Sequence, residues 1–362
     1  MRVAILGLGL IGGSIGLAAR ARSGAQVRGY DPDPDVGARA LALGAIDERA
    51  ASVSEAVRDA EVVFAAAPVG ALPGAVAEAL AAAGADCVVS DVGSTKRVVA
   101  DACADERFIG GHPLAGAESA GVEHAREDLF DGATWYLTPA TGKTAGVLYE
   151  RLHRLLSSLG ARPTAIDAET HDRVMACVSQ LPHVLANLLA AQAVAVLGGD
   201  GPERLPAVGP SFRDATRVAG SNSAIWTDIY LSNRDALIAA LDELVGRLVG
   251  VRAMLDSADA DAVVGWNDAA RADRDALLGA GLVGGVGGDS ITELRASVPN
   301  RPGVIAEIAL ALGRAGVNIA DMALSPSEDN RQGVVALWVG GAEQAERARE
   351  LIADLGFPVV AA

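Results

Sequence analysis

The chain has 362 residues and a mass of 36.6 kDa, more than one hydrophobic core usually organises, so two or three domains are expected. At 51% apolar, 21% charged and 4% aromatic it is neither disordered nor fibrous. With 30 Lys and Arg against 46 Asp and Glu, its net charge of −16 repels nucleic acid and anionic membrane.

Arg2 leads directly into the strand-like Val3-Ala4-Ile5-Leu6 with no small-residue cleavage site, so no secretory signal is read there and a cytoplasmic protein is expected. The uncharged apolar stretch 62–77 carries Pro68 and Pro73 and makes a poor membrane span. Cys87, Cys103 and Cys177 lie far apart without a CxxC pair, so neither a disulfide framework nor a metal site is expected. They read as small core residues.

From residue 1 to 165, short β-branched runs at 3–6, 27–30, 62–66, 87–90, 108–109 and 135–138 alternate with Ala- and Leu-rich stretches of helical length. This rhythm predicts an α/β domain of the Rossmann type, with a mostly parallel sheet covered on both faces. Over 166–280 apolar residues recur every three or four positions, as at Leu237, Leu241, Leu244, Leu248, Val251 and Leu255, which predicts an all-α helical domain. The glycine-rich residues 281–289 read as a linker. Residues 290–362 read strand, helix, strand, strand, helix, strand, the βαββαβ order of a small ferredoxin-like domain.

The first strand runs into Gly7-Leu8-Gly9-Leu10-Ile11-Gly12 and a helix-competent segment follows. In that context Gly7 permits a tight turn, Gly9 lets the backbone approach a pyrophosphate, and Gly12 allows close helix–strand packing. The helix N-terminus at Leu10 and Ile11 offers free N–H groups to phosphates. Asp31 ends the second strand about 20 residues on, where an acid accepts ribose hydroxyls and repels a 2′-phosphate. NAD is therefore the expected cofactor, although Arg28 lies close enough in sequence to leave NADP open.

Two further segments end strands on the ligand-binding side of such a sheet: Asp91-Val92-Gly93-Ser94-Thr95-Lys96 and Gly110-Gly111-His112-Pro113-Leu114-Ala115-Gly116. His112, between glycines and a proline, reads as a loop histidine placed to accept a proton from an alcohol losing hydride, with Ser94 orienting it. Its acid limb is expected near pH 6.5. Lys96, one of only two lysines, is a cofactor-binding candidate, with a solvated cation as the alternative.

The pairing of DVGSTK with GGHPLAG, in a chain beginning with GLGLIG, resembles the prephenate/arogenate dehydrogenase family of tyrosine biosynthesis. Gln180-Leu181-Pro182-His183, Phe212-Arg213-Asp214-Ala215-Thr216-Arg217 and Ile225-Trp226-Thr227-Asp228-Ile229 extend the likeness over the first 280 residues. The resemblance implies oxidative decarboxylation of a cyclohexadienol, prephenate or arogenate. Hydride leaves C4 for NAD, the C4 hydroxyl loses its proton, and the ring carboxylate departs as CO₂. It makes His112 the catalytic histidine, Ser94 the serine that helps hold it, and Arg217 the substrate-carboxylate arginine. His183, Glu118, Asp214 and Trp226 match positions that line or support the pocket.

Charge argues the same way, since a dianion approaching a protein of net charge −16 needs a local cation. Arg217, with Arg213 close by, can supply it, though an i,i+3 pair between Arg217 and Asp214 would look the same. His183 reads equally well as a core histidine.

Pro299-Asn300-Arg301-Pro302-Gly303 and the later Gly316-Val317-Asn318-Ile319 resemble the amino-acid-sensing ACT family. That resemblance implies side-by-side pairing and an amino-acid ligand, tyrosine as effector, near Asn300, Pro302, Gly303 and Asn318. A homodimer is expected, and the small apolar residues 186–195 offer one interface. Two alternatives stay open: another NAD-linked β-hydroxyacid-type dehydrogenase, although residues 165–280 lack the lysine those enzymes use, and a non-catalytic NAD- and amino-acid-sensing regulator.

Overall fold

The structure, a computed structural model, describes residues 1–116, 119–139, 143–197, 207–282, 291–299 and 331–361 and, between these last two, positions 301, 304, 307–308, 311–312, 315, 317 and 319–326. The chain forms two compact units, Met1–Arg252 and Ala253–Ala362.

In the first unit β1 (Arg2–Leu6), β2 (Gln26–Tyr30), β3 (Glu48–Arg49), β4 (Val62–Ala65) and β5 (Val88–Asp91) build a parallel sheet in the order β3-β2-β1-β4-β5. Side chains alternate across a strand, so a continuous apolar run feeds two cores. Val3, Ile5, Val62, Phe64 and Val88 pack on one face with Ile15 and Ala18 of α1 (Leu10–Ser23) and with Leu152 and Leu156 of the later helix Lys143–Ser158. Ala4, Leu6, Val63, Ala65 and Val89 pack on the other with the helices Val53–Val57 and Leu72–Ala82.

The next strands depart from expectation. β6 (Ile109–Pro113), β7 (Thr134–Pro139) and β8 (Arg162–Ala165) form a second sheet in which β6 and β7 run antiparallel, joined to β5 by a bridge between Val89 and Phe108. His112 consequently lies within β6, opposite Tyr136, and not on a loop. The reason is a close crossing: a Cβ on Gly111 would lie 2.5 Å from the Asp91 carbonyl oxygen and 2.8 Å from Ser90 Oγ. Two successive glycines let the backbone pass the end of β5 and pair with β7.

The helical segment follows as α2 (Ala168–Met175), a π-helical turn at Ala176–Gln180, α3 (Leu181–Leu197), α4 (Pro210–Thr216), α5 (Ser223–Ser232) and α6 (Arg234–Asp256). Asp167 caps α2 by accepting from Thr170 N at 2.8 Å, and Asn222 caps α5. Asn233 ties the helices together, donating through Nδ2 to the Asp172 carbonyl at 2.7 Å and to Gln180 Oε1 at 3.0 Å. Thr95 bonds Ser232 at 2.9 Å, which seats α5 on the loop after β5.

Residues 168–196 are long and apolar enough, by length and composition, to cross a membrane, a stretch the sequence reading passed over for 62–77. One side of that segment faces into the unit through His171, Met175, Gln180, His183 and Ala186, while Leu188, Leu189, Val194 and Val196 are exposed. Cys177 is exposed too, against the expectation of a core thiol, whereas Cys87 is buried.

In the second unit α7 (Ala260–Leu282) is followed by β9 (Ile291–Pro299), β10 (Ile319–Pro326), β11 (Gln332–Gly340), the helix Ala342–Asp354 and β12 (Val359–Ala361). The antiparallel order β10-β11-β9-β12 is that of the ferredoxin-like plan. Leu294, Ala296 and Val298 meet Val335, Leu337, Val339 and Ile352 in its core. Of the expected linker, residues 281–282 complete α7 and the remainder lies outside the described residues.

Candidate active site

Gly7 leaves β1 with φ +97°, a backbone that L side chains avoid, and its Cβ would strike the Ala66 carbonyl at 2.4 Å. At Gly12 a Cβ would lie 2.0 Å from the Gly7 oxygen. Gly9 is different: it is the N-cap of α1 and nothing stands within 4 Å of where a Cβ would project. No side chain caps this helix and its first turn holds no acid, so the N–H groups around Leu10 and Ile11 keep their donor capacity beside the positive end of the helix.

Asp31 completes the cradle. Its Oδ2 accepts from Leu8 N at 2.8 Å and its Oδ1 from Asp33 N at 3.0 Å, which holds the carboxylate against the glycine turn. An open pocket of backbone donors flanked by an acid fits a dinucleotide with free ribose hydroxyls. Arg28 is engaged elsewhere: its Nε and Nη2 both lie 2.9 Å from Glu48, and Nη1 donates to the Glu55 and Arg58 carbonyls. The geometry thus favours NAD over its 2′-phosphorylated form.

At the carboxyl end of β5 the Asp91 carboxylate gathers two segments, Oδ2 accepting from Gly93 N at 2.8 Å and Oδ1 from Gly111 N at 3.0 Å. Lys96 Nζ pairs with Asp91 Oδ2 and donates to the Gly111 carbonyl at 2.7 Å. Neither side chain of this pair has accessible surface. Lys96 therefore does not meet solvent, against the alternative reading of it as a solvated cation, and its ammonium is spent on Asp91 and Gly111. It fixes the residue before His112. Burial pushes its pKa down, against the opposing pull of Asp91.

His112 is half-buried, with Nδ1 2.9 Å from Nε2 of His171. His171 Nδ1 in turn lies 2.8 Å from Asp172 Oδ1. The Asp172 carboxylate also accepts from Lys96 N at 2.7 Å and Arg97 N at 3.0 Å. His171 and Asp172 are wholly buried, and the Tyr136 ring stands edge-on to His171 at 5.6 Å.

Burial first, then His171 and Lys96, hold His112 well below its usual pKa near 6.5, so the ring is neutral and able to take a proton at neutral pH. Burial works to raise the Asp172 carboxyl, but the hydrogen bonds from His171, Arg97 and Lys96 outweigh it and hold it below the usual range. Sequence reasoning missed His171 and Asp172. The available signal was a His-Asp pair just past the first turn of a helix, which gains meaning only when β6 arrives beside it. The expected bond from Ser94 to His112 is not formed among the described residues; Ser94 sits half-buried in the loop after β5.

A second cluster surrounds His183, which is 3% exposed and stacks on Trp226 with ring centroids 3.6 Å apart and planes 2° from parallel. Its Nδ1 bonds the Tyr230 hydroxyl. Burial lowers the His183 pKa, against the backbone of Val218. Arg213, Asp214 and Arg217 are exposed on or at the end of α4, which packs against α3. Arg213 donates to the Val208 carbonyl at 3.0 Å, and Arg217 N bonds the Asp214 carbonyl at 3.4 Å. Glu118, Asn300, Pro302, Gly303 and Asn318 lie outside the described residues. Among those that are described, no cluster suited to a metal ion occurs.

Comparison with known proteins follows these divisions. Residues 15–164 match the family model "Prephenate dehydrogenase, nucleotide-binding domain", 167–267 match "Prephenate dehydrogenase, dimerization domain", and 292–357 match "ACT domain". A prephenate dehydrogenase of Bacillus subtilis is 33% identical, the match covering 97% of this chain and 95% of that protein. A cyclohexadienyl dehydrogenase of Zymomonas mobilis is 36% identical over 72% of this chain and 90% of its own. Among solved structures, prephenate dehydrogenase from A. aeolicus in complex with hydroxyphenyl propionate and NAD+ superposes with a TM-score of 0.70 at 29% identity, covering 76% of this chain and 98% of that one. With its glycine cradle, its paired histidines and full-length likeness to such enzymes, the chain belongs to the prephenate dehydrogenase family.

Proposed function

We propose that the protein catalyses NAD-dependent oxidative decarboxylation of prephenate to 4-hydroxyphenylpyruvate, or of arogenate to tyrosine. The observation that carries this reading is His112, kept neutral on β6 where that strand crosses the carboxyl end of β5, in the sheet whose glycine turn suits NAD. Gly7, Gly9, Leu10, Ile11, Gly12 and Asp31 would hold the dinucleotide, which when bound supplies the hydride acceptor. His112 accepts the proton of the C4 hydroxyl through Nε2 as the C4 hydrogen departs with its electron pair. The bond to the ring carboxylate then breaks, CO₂ leaves, its electrons complete the aromatic ring, and His112 returns the proton to the phenolic oxygen. Ser94, in the loop after β5, would assist at the hydroxyl. Arg217, with Arg213 beside it, supplies positive charge for a substrate carboxylate, and His183, Trp226, Glu118 and Asp214 support the pocket.

The test is NADH formation at 340 nm by the purified chain with prephenate and with arogenate. Turnover of either supports the reading, their ratio of kcat/KM names the substrate, and turnover of neither overturns it. The ACT-like segment and the exposed apolar helices extend the proposal to a homodimer that answers to an aromatic amino acid, tyrosine foremost. Titration calorimetry of the full chain with tyrosine checks that part.

A further inference from the structure

An imidazole has two nitrogens, and only the one without hydrogen can serve as base. We propose that His171 and Asp172 are positioning residues that select it, holding His112 as the Nδ1–H form with the Nε2 lone pair free for the substrate hydroxyl; this rests on the reading of His112 as the base.

The argument starts at the buried end. An ionised carboxylate only accepts hydrogen bonds, and Asp172 takes backbone N–H from Lys96 and Arg97. The third contact, 2.8 Å from His171 Nδ1, therefore requires the hydrogen to sit on that nitrogen. A His171 ring with its single hydrogen placed there presents a lone pair at Nε2, which faces His112 Nδ1 at 2.9 Å. Two lone pairs at that separation repel, so His112 Nδ1 carries a hydrogen. Its Nε2 is then the basic atom, and no protein partner occupies it among the described residues.

The other charged or titratable groups against the two rings are Lys96, balanced by Asp91 on the β5 side, Arg97, 3.5 Å from Asp172, and the Tyr136 ring on β7. Asp172 also pins the backbone that carries Ser94, so a purely structural tie between α2 and that loop is the competing account. It makes no demand on the His112 tautomer.

The decisive measurements use the full chain loaded with NAD. Nitrogen-detected NMR of ¹⁵N-histidine protein, with the signals assigned through His112→Asn, reads which ring nitrogen of His112 is protonated. The Nδ1–H form is expected, and an Nε2–H form overturns the inference even where turnover of prephenate or arogenate is normal. Conversely, the Nδ1–H form in an enzyme that turns over neither substrate overturns the proposed reaction while the tautomer selection holds.

Kinetics supply the second arm. His171→Leu removes the acceptor and is expected to lower kcat about 10²-fold, the low end for a positioned base, with little change in either KM. His171→Gln, whose amide oxygen can replace the Nε2 lone pair, is expected to recover most of that loss. An unchanged kcat in His171→Leu, or a His171→Gln enzyme as slow as the Leu variant, overturns the proposal. Should His171→Leu fail to fold, the wild-type NMR signal decides.

Discussion

A histidine is useful as a base at neutral pH only if its surroundings keep it uncharged until a proton arrives. For His112 burial does most of this, and His171 and Lys96 add to it. A depressed pKa means that the reactive neutral form survives below pH 6.5. We therefore expect kcat/KM to stay level as the pH falls through 6.5 and to decline only at lower pH, where a limb centred at or above 6.5 would show a solvated ring. His112→Asn should still bind NAD yet lose about 10²–10⁴ in kcat, and near-normal turnover would remove the residue from its role. His112 is legible in the sequence because its glycine and proline neighbours set it apart. His171 is not, since its partner lies 59 residues away and only tertiary contact joins them. Lys96 shows the converse: it stood out by rarity, but burial against Asp91, which no local pattern reveals, gives it a structural part.

At the scale of elements, the same buried pair governs how the loop after β5 meets β6. Lys96→Met would leave Asp91 charged and dry, so it should lower unfolding free energy in urea by roughly 3–5 kcal/mol, and a loss under 1 kcal/mol would argue that water reaches the site. The glycine turn offers a contrasting case. A methyl group at Gly9 meets no protein atom within 4 Å, so Gly9→Ala should leave stability within about 0.5 kcal/mol of wild type. It would, however, project into the space a pyrophosphate needs, and NAD affinity measured by calorimetry should fall at least about tenfold. The parallel strands and the turn were readable because their apolar runs and glycine spacing are local. The antiparallel pairing of β6 with β7 was not, because Gly110 and Gly111 look like loop residues until Asp91 and Ser90 are seen pressing against them.

At the scale of the molecule, the exposed apolar side chains have a pattern. Leu188, Leu189 and Val194 on α3 and Ile238, Val245, Leu248 and Val249 on α6 are each 45–62% exposed, within the segment matched by a family model described as a dimerization domain. Runs of exposed apolar side chains along a helix mark interaction surfaces. If a second copy covers them, Leu248→Glu, which would place a carboxylate in an apolar interface, should shift the sedimenting species from dimer to monomer. A mass unchanged from wild type would place the interface elsewhere. The succession of α/β, helical and ferredoxin-like segments was legible in periodicity alone. The division of the chain at Arg252–Ala253 was not, because the apolar spacing runs through it unbroken.

The π-helical turn at Ala176–Gln180 has a geometric effect on the two histidines that flank it. At about 100° per residue, an uninterrupted helix would point His171 and His183 roughly 120° apart. A π-turn accommodates one additional residue without advancing the phase, which brings the pair back to within about 20° of one another. Both imidazoles are therefore aimed inward from one continuous rod, and the extra residue acts as a phase corrector: losing it would straighten the rod and keep both rings inside, whereas gaining another in regular helix would swing His183 and its stacked indole toward the outside.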